Sequence, residues 1–200
     1  MYRFLLFLVL CFLFVLEFRV HANADQWNDD PNCKSLVEIV HKKNLKIVRL
    51  TKKKVPALVE LLKRQFSYDD ANFLYGQLER HFNQSAEREY PYWILVARNG
   101  AVVGGFGLTP HFIRSPWWID WMVIHPNYRG NRIGHAMMKA LLATAKKMGA
   151  DSLTVYTSSA QEEAAANHLY QKFGFRVTRQ YPEKLSDGRM VEGIWYERSL

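Results

Sequence analysis

The segment that most constrains the fold runs from Trp117 to Gly149 and joins a strand directly to a helix. Trp117 to Ile124, reading WWIDWMVI, has the apolar content of a strand, and Ile133 to Met148 predicts a helix that Gly149 ends. The connection between them is short and carries two arginines and a glycine. Because the strand must pair in a sheet and the helix needs a surface to cover, this segment predicts a sheet with helices packed on it.

The patterns before and after this segment extend it to a mixed α/β order. Alternation predicts a strand at 45–50, and Val55 to Phe66 and Asp69 to His81 predict a helical hairpin, with Asp69 or Asp70 as a cap. Further strand patterns lie at 92–97 and 101–108 around an Asn99-Gly100 hairpin signal, at 152–156, at 176–180 and at 191–197, and a last helix spans 162–173. The predicted order is β-α-α-β-β-β-α-β-α-β-β, with a central hairpin meander and two later helices on the sheet.

The first residues form a separate, apolar segment. After Met1-Tyr2-Arg3 the chain has 13 consecutive apolar residues, Phe4 to Leu16. A helix that spans a bilayer needs ~20 such residues, whereas the apolar core of a secretory signal has about 7–15, so the length favours a signal peptide over residues 1–24. Small residues at Ala22 and Ala24 fit cleavage before Asp25, and Val20 to Ala22 offers a competing site.

Two locations follow from this segment. A cleaved signal predicts the secretory pathway or export, whereas an uncleaved segment 1–24 would anchor the protein in a membrane with its domain facing the cytosol. Glu17 and Arg19 disfavour the anchor, because charges are costly to bury in lipid. Residues 25–44, which are polar around Asp29, Asp30 and Pro31, are interpreted as a linker, and this leaves 45–200 as one globular domain.

Charge and cysteine content exclude several classes of site. The chain has a net charge of +8, and removal of residues 1–24, with two arginines and one glutamate, leaves +7. Lysines and arginines are scattered apart from Lys52 to Lys54, so no nucleic-acid partner is expected. Cys33 is alone outside the apolar run, which rules out an internal disulfide in the remainder, and the seven histidines show no paired metal spacing. No metal is therefore expected.

The connection between the strand and the helix has the chemistry of an anion-binding turn. A helix start leaves backbone N–H groups without partners and carries partial positive charge, and both properties favour phosphate. Gly130 and Gly134 would let the backbone approach a diphosphate closely, and Arg129 and Arg132 add formal charge. Turns of this composition also occur for purely structural reasons, and the segment lacks both the Gly-Lys-Ser/Thr of a Walker loop and the Gly-x-Gly-x-x-Gly of dinucleotide folds.

Two motifs in sequence order resemble those of the GNAT superfamily of N-acetyltransferases. VIHPNYRGNRIG, residues 123–134, is similar to the acetyl-CoA-binding motif of that family, and LYQKFGF, residues 169–175, is similar to its second signature. The resemblance extends over about 45–200 and implies an α/β fold with a mostly antiparallel central sheet flanked by helices. One departure is Arg132, which stands where the first glycine of the family's turn is common.

The resemblance implies a site for acetyl-CoA as co-substrate. In the family, the strand before the turn splays from the next one and opens a V-shaped slot for the pantetheine arm, which implies a slot between 117–124 and 152–157 here. Backbone groups would pair with pantetheine along the slot and wrap the pyrophosphate at the turn. The implied acetyl-CoA contacts are Met122, Val123, Ile124, Arg129, Gly130, Asn131, Arg132, Ile133, Gly134, Asn167 and Tyr170.

The resemblance also implies two catalytic residues. Asp120 occupies the position of a carboxylate that acts as a base in many members, directly or through water, and Tyr170 that of a tyrosine that protonates the leaving thiolate. A tyrosine pKa of about 10 is near the ~8.5 of a thiol, which makes this step plausible. Asp120 could instead pair with an arginine or cap a turn, although its apolar neighbours make a bare charge costly, and Tyr170 could simply pack in the core.

The predicted activity is direct transfer of an acetyl group from acetyl-CoA to a primary amine, since Cys33 lies in a polar segment with no base near it in sequence. Acceptor recognition is expected from Phe66 to Asp70 and from Thr109 to Trp117. The alternative is a non-catalytic GNAT-fold binding protein, secreted or membrane-associated, which would reconcile a signal segment with a fold that uses a cytosolic metabolite. Either hypothesis is compatible with a homodimer.

Overall fold

The computed structural model describes residues 31–66, 68–84, 91–110 and 117–200, so the predicted signal segment 1–24 lies outside the described residues. The described chain contains five helices and eight strands. The helices are α1 (Pro31–Lys42), α2 (Val55–Lys63), α3 (Tyr68–Gln84), α4 (Ile133–Lys147) and α5 (Ala164–Lys172). The strands are β1 (Leu45–Arg49), β2 (Tyr92–Ala97), β3 (Val102–Pro110), β4 (Trp117–Ile119), β5 (Val123–Ile124), β6 (Ser152–Ser158), β7 (Arg176–Lys184) and β8 (Met190–Ser199).

The strands form one sheet in the order β1-β2-β3-β4-β6-β8-β7, and β5 pairs with β3 beyond β4. All neighbouring pairs are antiparallel except β4 and β6, which run parallel. The prediction of a mixed, mostly antiparallel sheet flanked by helices is therefore confirmed.

The predicted strand 117–124 is interrupted, and this is a correction. Leu108 of β3 pairs with Ile119, and Gly105 of β3 pairs with Val123. The five residues 119–123 therefore lie opposite only four residues of β3, 105–108. The extra residue makes a β-bulge at 120–122 that separates β4 from β5. Aspartate is disfavoured in regular strands, and here Asp120 begins the interruption.

The predicted linker 25–44 is also wrong over Pro31–Lys42, which form α1. Cys33, Leu36 and Val40 recur at helical spacing and are at most 2% exposed, so α1 carries an apolar stripe despite its polar composition. This stripe packs against α4 and β1 in a shared core. The folded domain thus includes α1, while residues 25–30 lie outside the described residues.

The helices divide between the two faces of the sheet. Leu58 and Leu62 of α2 and Leu74 of α3 are fully buried on one face, and α1, α4 and α5 share a second core on the other face. Close packing of α2 requires Gly105 in β3, because a Cβ there would lie 2.5 Å from Cδ1 of Leu58. None of the described helices is long and apolar enough to cross a bilayer.

The carboxyl-terminal strands are longer than predicted. Pro182 was expected to separate them but lies within β7, where it pairs with Glu192. Proline is tolerated because β7 is the edge strand of the sheet and needs no ladder donor on its outer side.

Leu36→Ala should destabilise the protein by about 2–5 kcal/mol, because it removes a fully buried side chain between α1 and α4. Denaturant unfolding followed by circular dichroism measures the change. Glu38→Ala, at an exposed position of the same helix, is the matched control and should shift stability by less than about 0.5 kcal/mol. Equal stabilities of the two variants would contradict the packing of α1 in the core.

Candidate active site

A slot opens in the sheet where β4 and β6 separate. The two strands pair only through Trp117 with Leu153 and Trp118 with Thr154. Beyond that point β5 stays with β3, while β6 continues along β8 as far as Ser158. The walls of the slot are therefore 120–124 and the second half of β6. They are shorter than the predicted walls, 117–124 and 152–157, because the first residues of those two segments pair with each other.

The turn after β5 is braced by its own side chains. His125 Nδ1 accepts a hydrogen bond from the Asn127 N–H (3.3 Å). The carboxamide of Asn131 donates to the carbonyl oxygens of Tyr128 (3.2 Å) and Arg129 (3.0 Å). Gly130 has φ +74°, a conformation that favours glycine, and lets the chain reverse towards α4.

The side chain of Arg129 makes contacts within the protein that the sequence did not predict. Its guanidinium donates to the carbonyl oxygen of Ile124 (3.1 Å) and to Oε1 of Gln65, after the end of α2. These two hydrogen bonds connect the turn to β5 and to the segment after α2. The guanidinium therefore already has partners within the protein. The bidentate reach of arginine suits such a brace between two elements.

The start of α4 has backbone N–H groups that no side chain caps. Arg132 is the N-cap residue, its side chain makes no capping hydrogen bond, and it adopts the left-handed conformation with φ +60°. This conformation explains why glycine is common at the position. Gly134 follows in the first turn, and a Cβ there would meet only ordinary contacts, 3.5 Å from Ile124 and 3.8 Å from Leu169. The helix start is therefore open to an anion, with partial positive charge behind it.

Asp120 lies at the bulge and is half-buried. Its Oδ2 accepts a hydrogen bond from the Thr109 hydroxyl (2.9 Å), and its carboxylate also accepts from the Trp121 backbone N–H. Burial raises the pKa of Asp120 above its ordinary value, although both hydrogen bonds act in the opposite direction. A carboxylate held by neutral donors with a raised pKa has the character of a base.

Tyr92, at the start of β2, forms a hydrogen bond to the bulge. It is 3% exposed, and its hydroxyl donates to the carbonyl oxygen of Trp121 (3.1 Å). Burial, and then the charge of Asp120, raise the pKa of Tyr92 well above its ordinary value. The ring needs Gly107 beside it, because a Cβ at that position would overlap the ring. Sequence reasoning missed Tyr92 and the bond from Thr109 to Asp120, since both depend on pairing across β3.

The opposite wall is organised by Glu163 and Asn167. The carboxylate of Glu163 accepts from the Ser158 N–H (2.5 Å) and from the Thr157 hydroxyl, which fixes the end of β6 to the start of α5. The carboxamide nitrogen of Asn167 donates to the carbonyl oxygens of Ser158 (2.7 Å) and Glu163 (3.2 Å). Its carboxamide oxygen is buried and receives no hydrogen bond from the described part of the chain.

Tyr170 lies one turn after Asn167 on the same face of α5. It is 5% exposed, and its ring packs between Phe175 and Tyr196, with centroids 5.9 and 5.8 Å away. Burial first, then the charge of Glu163 and the neighbouring Tyr196, raise the pKa of Tyr170 above its ordinary value. The hydroxyl therefore keeps its proton at neutral pH.

The structure thus brings the predicted residues to one slot. Asp120 and Met122, Val123 and Ile124 lie on one wall, Asn167 and Tyr170 lie on the helix behind the other wall, and the turn 129–134 lies at one end. Phe66 contacts Trp121 edge to face at 5.2 Å, which puts the end of α2 beside the bulge. The remaining acceptor predictions fall on residue 67, on the undescribed side chains of 68–70 and on 111–116, outside the described residues.

Two further features lie away from the slot. An open cavity of about 420 Å³ separates α2 from the β2–β3 hairpin and the turn after β5, and its lining includes Arg64, Val103, His125 and Tyr128 but neither Asp120 nor Tyr170. Cys33 is a buried residue of α1. No cluster of three metal-ligating side chains occurs within the described ranges.

Comparisons with known proteins agree with this geometry. The model of the acetyltransferase (GNAT) family matches residues 55–175, more than half of the chain. Among solved structures, a GNAT-family protein from Desulfovibrio desulfuricans superimposes with a TM-score of 0.65 at 14% identity, over 78% of this chain and 98% of that one. No curated protein matches.

Two other solved structures are similar in fold. The ribosomal-protein-S18-alanine N-acetyltransferase of Escherichia coli has a TM-score of 0.59 at 20% identity, over 78% of this chain and 93% of its own. The Salmonella typhimurium protein yncA, solved with its cofactor acetyl-CoA, has a TM-score of 0.58 at 21% identity, over 78% and 94%. These identities are low, so the likeness establishes the fold.

Arg132→Gly should stabilise the protein by roughly 0.5–1 kcal/mol, because glycine adopts the left-handed conformation without the steric cost that arginine has there. Thermal unfolding measures the change. Lys139→Gly, at an exposed position inside α4, is the control and should destabilise by about 1 kcal/mol. A loss of stability in Arg132→Gly would show instead that the arginine side chain supports the turn.

Proposed function

The chain belongs to the GNAT family of acetyltransferases, and we propose on this basis that it transfers an acetyl group from acetyl-CoA to a primary amine. The observation that carries the proposal is the slot itself, with a carboxylate of raised pKa on one wall, a buried tyrosine behind the other, and an uncapped helix start at its end. Both catalytic positions are retained, which does not favour the non-catalytic alternative.

Three features of the chain fit acetyl-CoA. The N–H groups at the start of α4 suit the pyrophosphate, with the exposed Arg132 beside them. The bulge leaves the backbone of Met122 outside both ladders, where it can pair with the pantetheine arm. The buried carboxamide oxygen of Asn167 receives no donor from the described residues and suits a pantetheine amide N–H.

Asp120 serves as the base in the proposed reaction. The amine nitrogen forms a bond to the acetyl carbonyl carbon, and its proton passes to the Asp120 carboxylate, directly or through water. A raised pKa makes this carboxylate a stronger base than an ordinary aspartate. Thr109 and the Trp121 N–H hold it in position during the transfer.

Tyr170 serves as the acid. When the carbon–sulfur bond breaks, its electron pair goes to sulfur, and the Tyr170 hydroxyl gives its proton to the thiolate. Burial disfavours the tyrosinate, so the hydroxyl is protonated before each turnover and gives up its proton only as negative charge develops on sulfur. The hydroxyl then recovers a proton from solvent.

The proposal as a whole is tested by calorimetric titration of the purified protein with acetyl-CoA, followed by a thiol-release assay over a panel of primary amines. Saturable binding and amine-dependent release of CoA are expected. Absence of binding at millimolar acetyl-CoA would overturn the proposal.

Asp120→Asn should lower kcat/KM by about 10²–10⁴-fold, because the amide cannot accept the proton. In the unmodified protein, kcat/KM should rise with pH as Asp120 ionises, with its midpoint above the ~3.9 of an ordinary aspartate, since burial raises this pKa. The variant should lack this limb of the pH profile. Asp151→Asn, at an exposed position, is the control and should keep both rate and profile.

Tyr170→Phe should lower turnover at least about tenfold while leaving the affinity for acetyl-CoA nearly intact, because it removes the donor but not the packing. Single-turnover kinetics and calorimetry measure the two quantities. Tyr196→Phe removes a hydroxyl from the same buried cluster and should keep turnover. Equal losses in both variants would assign Tyr170 a packing role only.

A further inference from the structure

One face of the carboxyl-terminal half of the sheet carries aromatic rings that lie outside the two cores formed by the described helices and the sheet. Leu153, Val155 and Ile194 face the core that α4 and α5 cover. The residues between these core residues point to the opposite face of the sheet. Trp118 pairs with Thr154, and Tyr156 pairs with Trp195, so Trp118, Tyr156 and Trp195 lie on this opposite face. Tyr181 joins them from β7, because it pairs with Gly193. We call Trp118, Tyr156, Tyr181 and Trp195 the aromatic face.

The four rings of the aromatic face contact one another in sequence. Trp118 meets Trp195 edge to face at 4.7 Å, Trp195 lies 5.6 Å from Tyr156, and Tyr156 is nearly parallel to Tyr181 at 6.3 Å. Gly193 makes room for the last two, since a Cβ there would lie 2.8 Å from the Tyr156 hydroxyl and 3.0 Å from the Tyr181 ring. All four residues are half-buried.

The aromatic face is continuous with the candidate base. Thr109 pairs with Trp118 across β3 and β4, so the two side chains lie on the same side of the sheet. Because the Thr109 hydroxyl bonds to Asp120, the carboxylate is also on that side. An acceptor that reaches Asp120 from this side therefore passes over the aromatic face.

The surface is suited to positive charge. The Tyr156 hydroxyl donates to the carboxylate of Glu183, which lies on the same side of β7 as Tyr181. The guanidinium of Arg179 lies 5.4 Å from the centroid of Tyr181, so one ring of the face already holds a cation. Glu197 pairs with Thr154 and Arg176 pairs with Glu197, so both also lie on this side of the sheet. The carboxylates of Asp120, Glu183 and Glu197 therefore outnumber the guanidiniums of Arg176 and Arg179. With four electron-rich rings, this surface is complementary to a cationic ligand in a chain of net charge +8.

We propose that the aromatic face binds a second positive charge of the acceptor, so that the preferred acceptor is a linear diamine or an equivalent dibasic segment. The inference rests on the proposed acyltransferase function and names its substrate class. The reacting nitrogen lies at Asp120, and the second ammonium lies among Tyr156, Trp195 and Glu183. Trp195 on β8 and Glu183 on β7 lie two and three strands from β4, so strand spacing alone places the two charges roughly 10–14 Å apart, and the separation of β4 from β6 at the slot adds to this distance.

The test compares linear α,ω-diamines of three to ten carbons with monoamines of the same chain length. Calorimetry on the full-length protein in the presence of CoA gives the affinity of each amine, and a thiol-release assay with acetyl-CoA gives kcat/KM. A diamine of eight to ten carbons should bind at least tenfold more tightly than its monoamine. Equal affinities at every length would overturn the proposal.

Glu183→Gln keeps an acceptor for the Tyr156 hydroxyl but removes the charge, and it should reduce the diamine preference at least fivefold without changing the affinity for monoamines. Glu192→Gln, at an exposed position on β8, is the matched control and should keep the preference. Trp195→Leu is a second variant that removes an aromatic ring instead of a charge and should also reduce it. A preference that survives both Glu183→Gln and Trp195→Leu would overturn the proposal.

The result is separable from that of the proposed function. Acetyl-CoA binding and turnover of monoamines, without any diamine preference, would overturn the acceptor assignment alone. Diamine binding that depends on Glu183, in a protein that does not bind acetyl-CoA, would overturn the acyltransferase function and leave the cation-binding face intact.

Discussion

The strand from Ile119 to Val123 has one residue more than β3 opposite it, and without that residue β4 and β5 would continue as one strand beside β6. Two parallel strands in register lie about 4.8 Å apart and leave no space between them for a ligand. The bulge ends the pairing after Trp118 and turns the chain away. It is held by the Asp120 N–H, which donates to the Gly107 carbonyl (3.0 Å), and by the Tyr92 hydroxyl below it. The slot, and everything that lines it, depends on these two bonds.

The same bulge sets the electrostatics of the site. It places the Asp120 carboxylate where burial raises its pKa but where Thr109 and a backbone N–H still satisfy its oxygens. It also aims that carboxylate towards the side of the sheet that carries Trp118 and Tyr156, while Asn167 and Tyr170 approach from the helix behind β6. The sites proposed for an anion, at the start of α4, and for a cation, near Asp120, thus lie at different ends of one opening.

Features that depend on neighbours in sequence were predictable. The turn at 129–134 and the helix after it follow from local composition, and the hairpin at Asn99-Gly100 follows from its turn signal. Features that depend on distant partners were not. The bulge is visible only when residues 119–123 are counted against β3, and the bond from Arg129 to Gln65 joins residues 64 positions apart. The aromatic face is built from β4, β6, β7 and β8, which lie far apart in the chain.

The helix α1 was missed for a different reason, since its pattern is local. Half of its twelve residues are charged or polar, and the apolar stripe of Cys33, Leu36 and Val40 stands out only when the spacing is read instead of the average. Because α1 covers α4 and β1, a shortened chain that begins at Leu45 would leave an apolar surface of both elements open to water. Such a surface promotes self-association, so the boundary of the autonomous unit lies before α1, and α4 needs α1 as its cover.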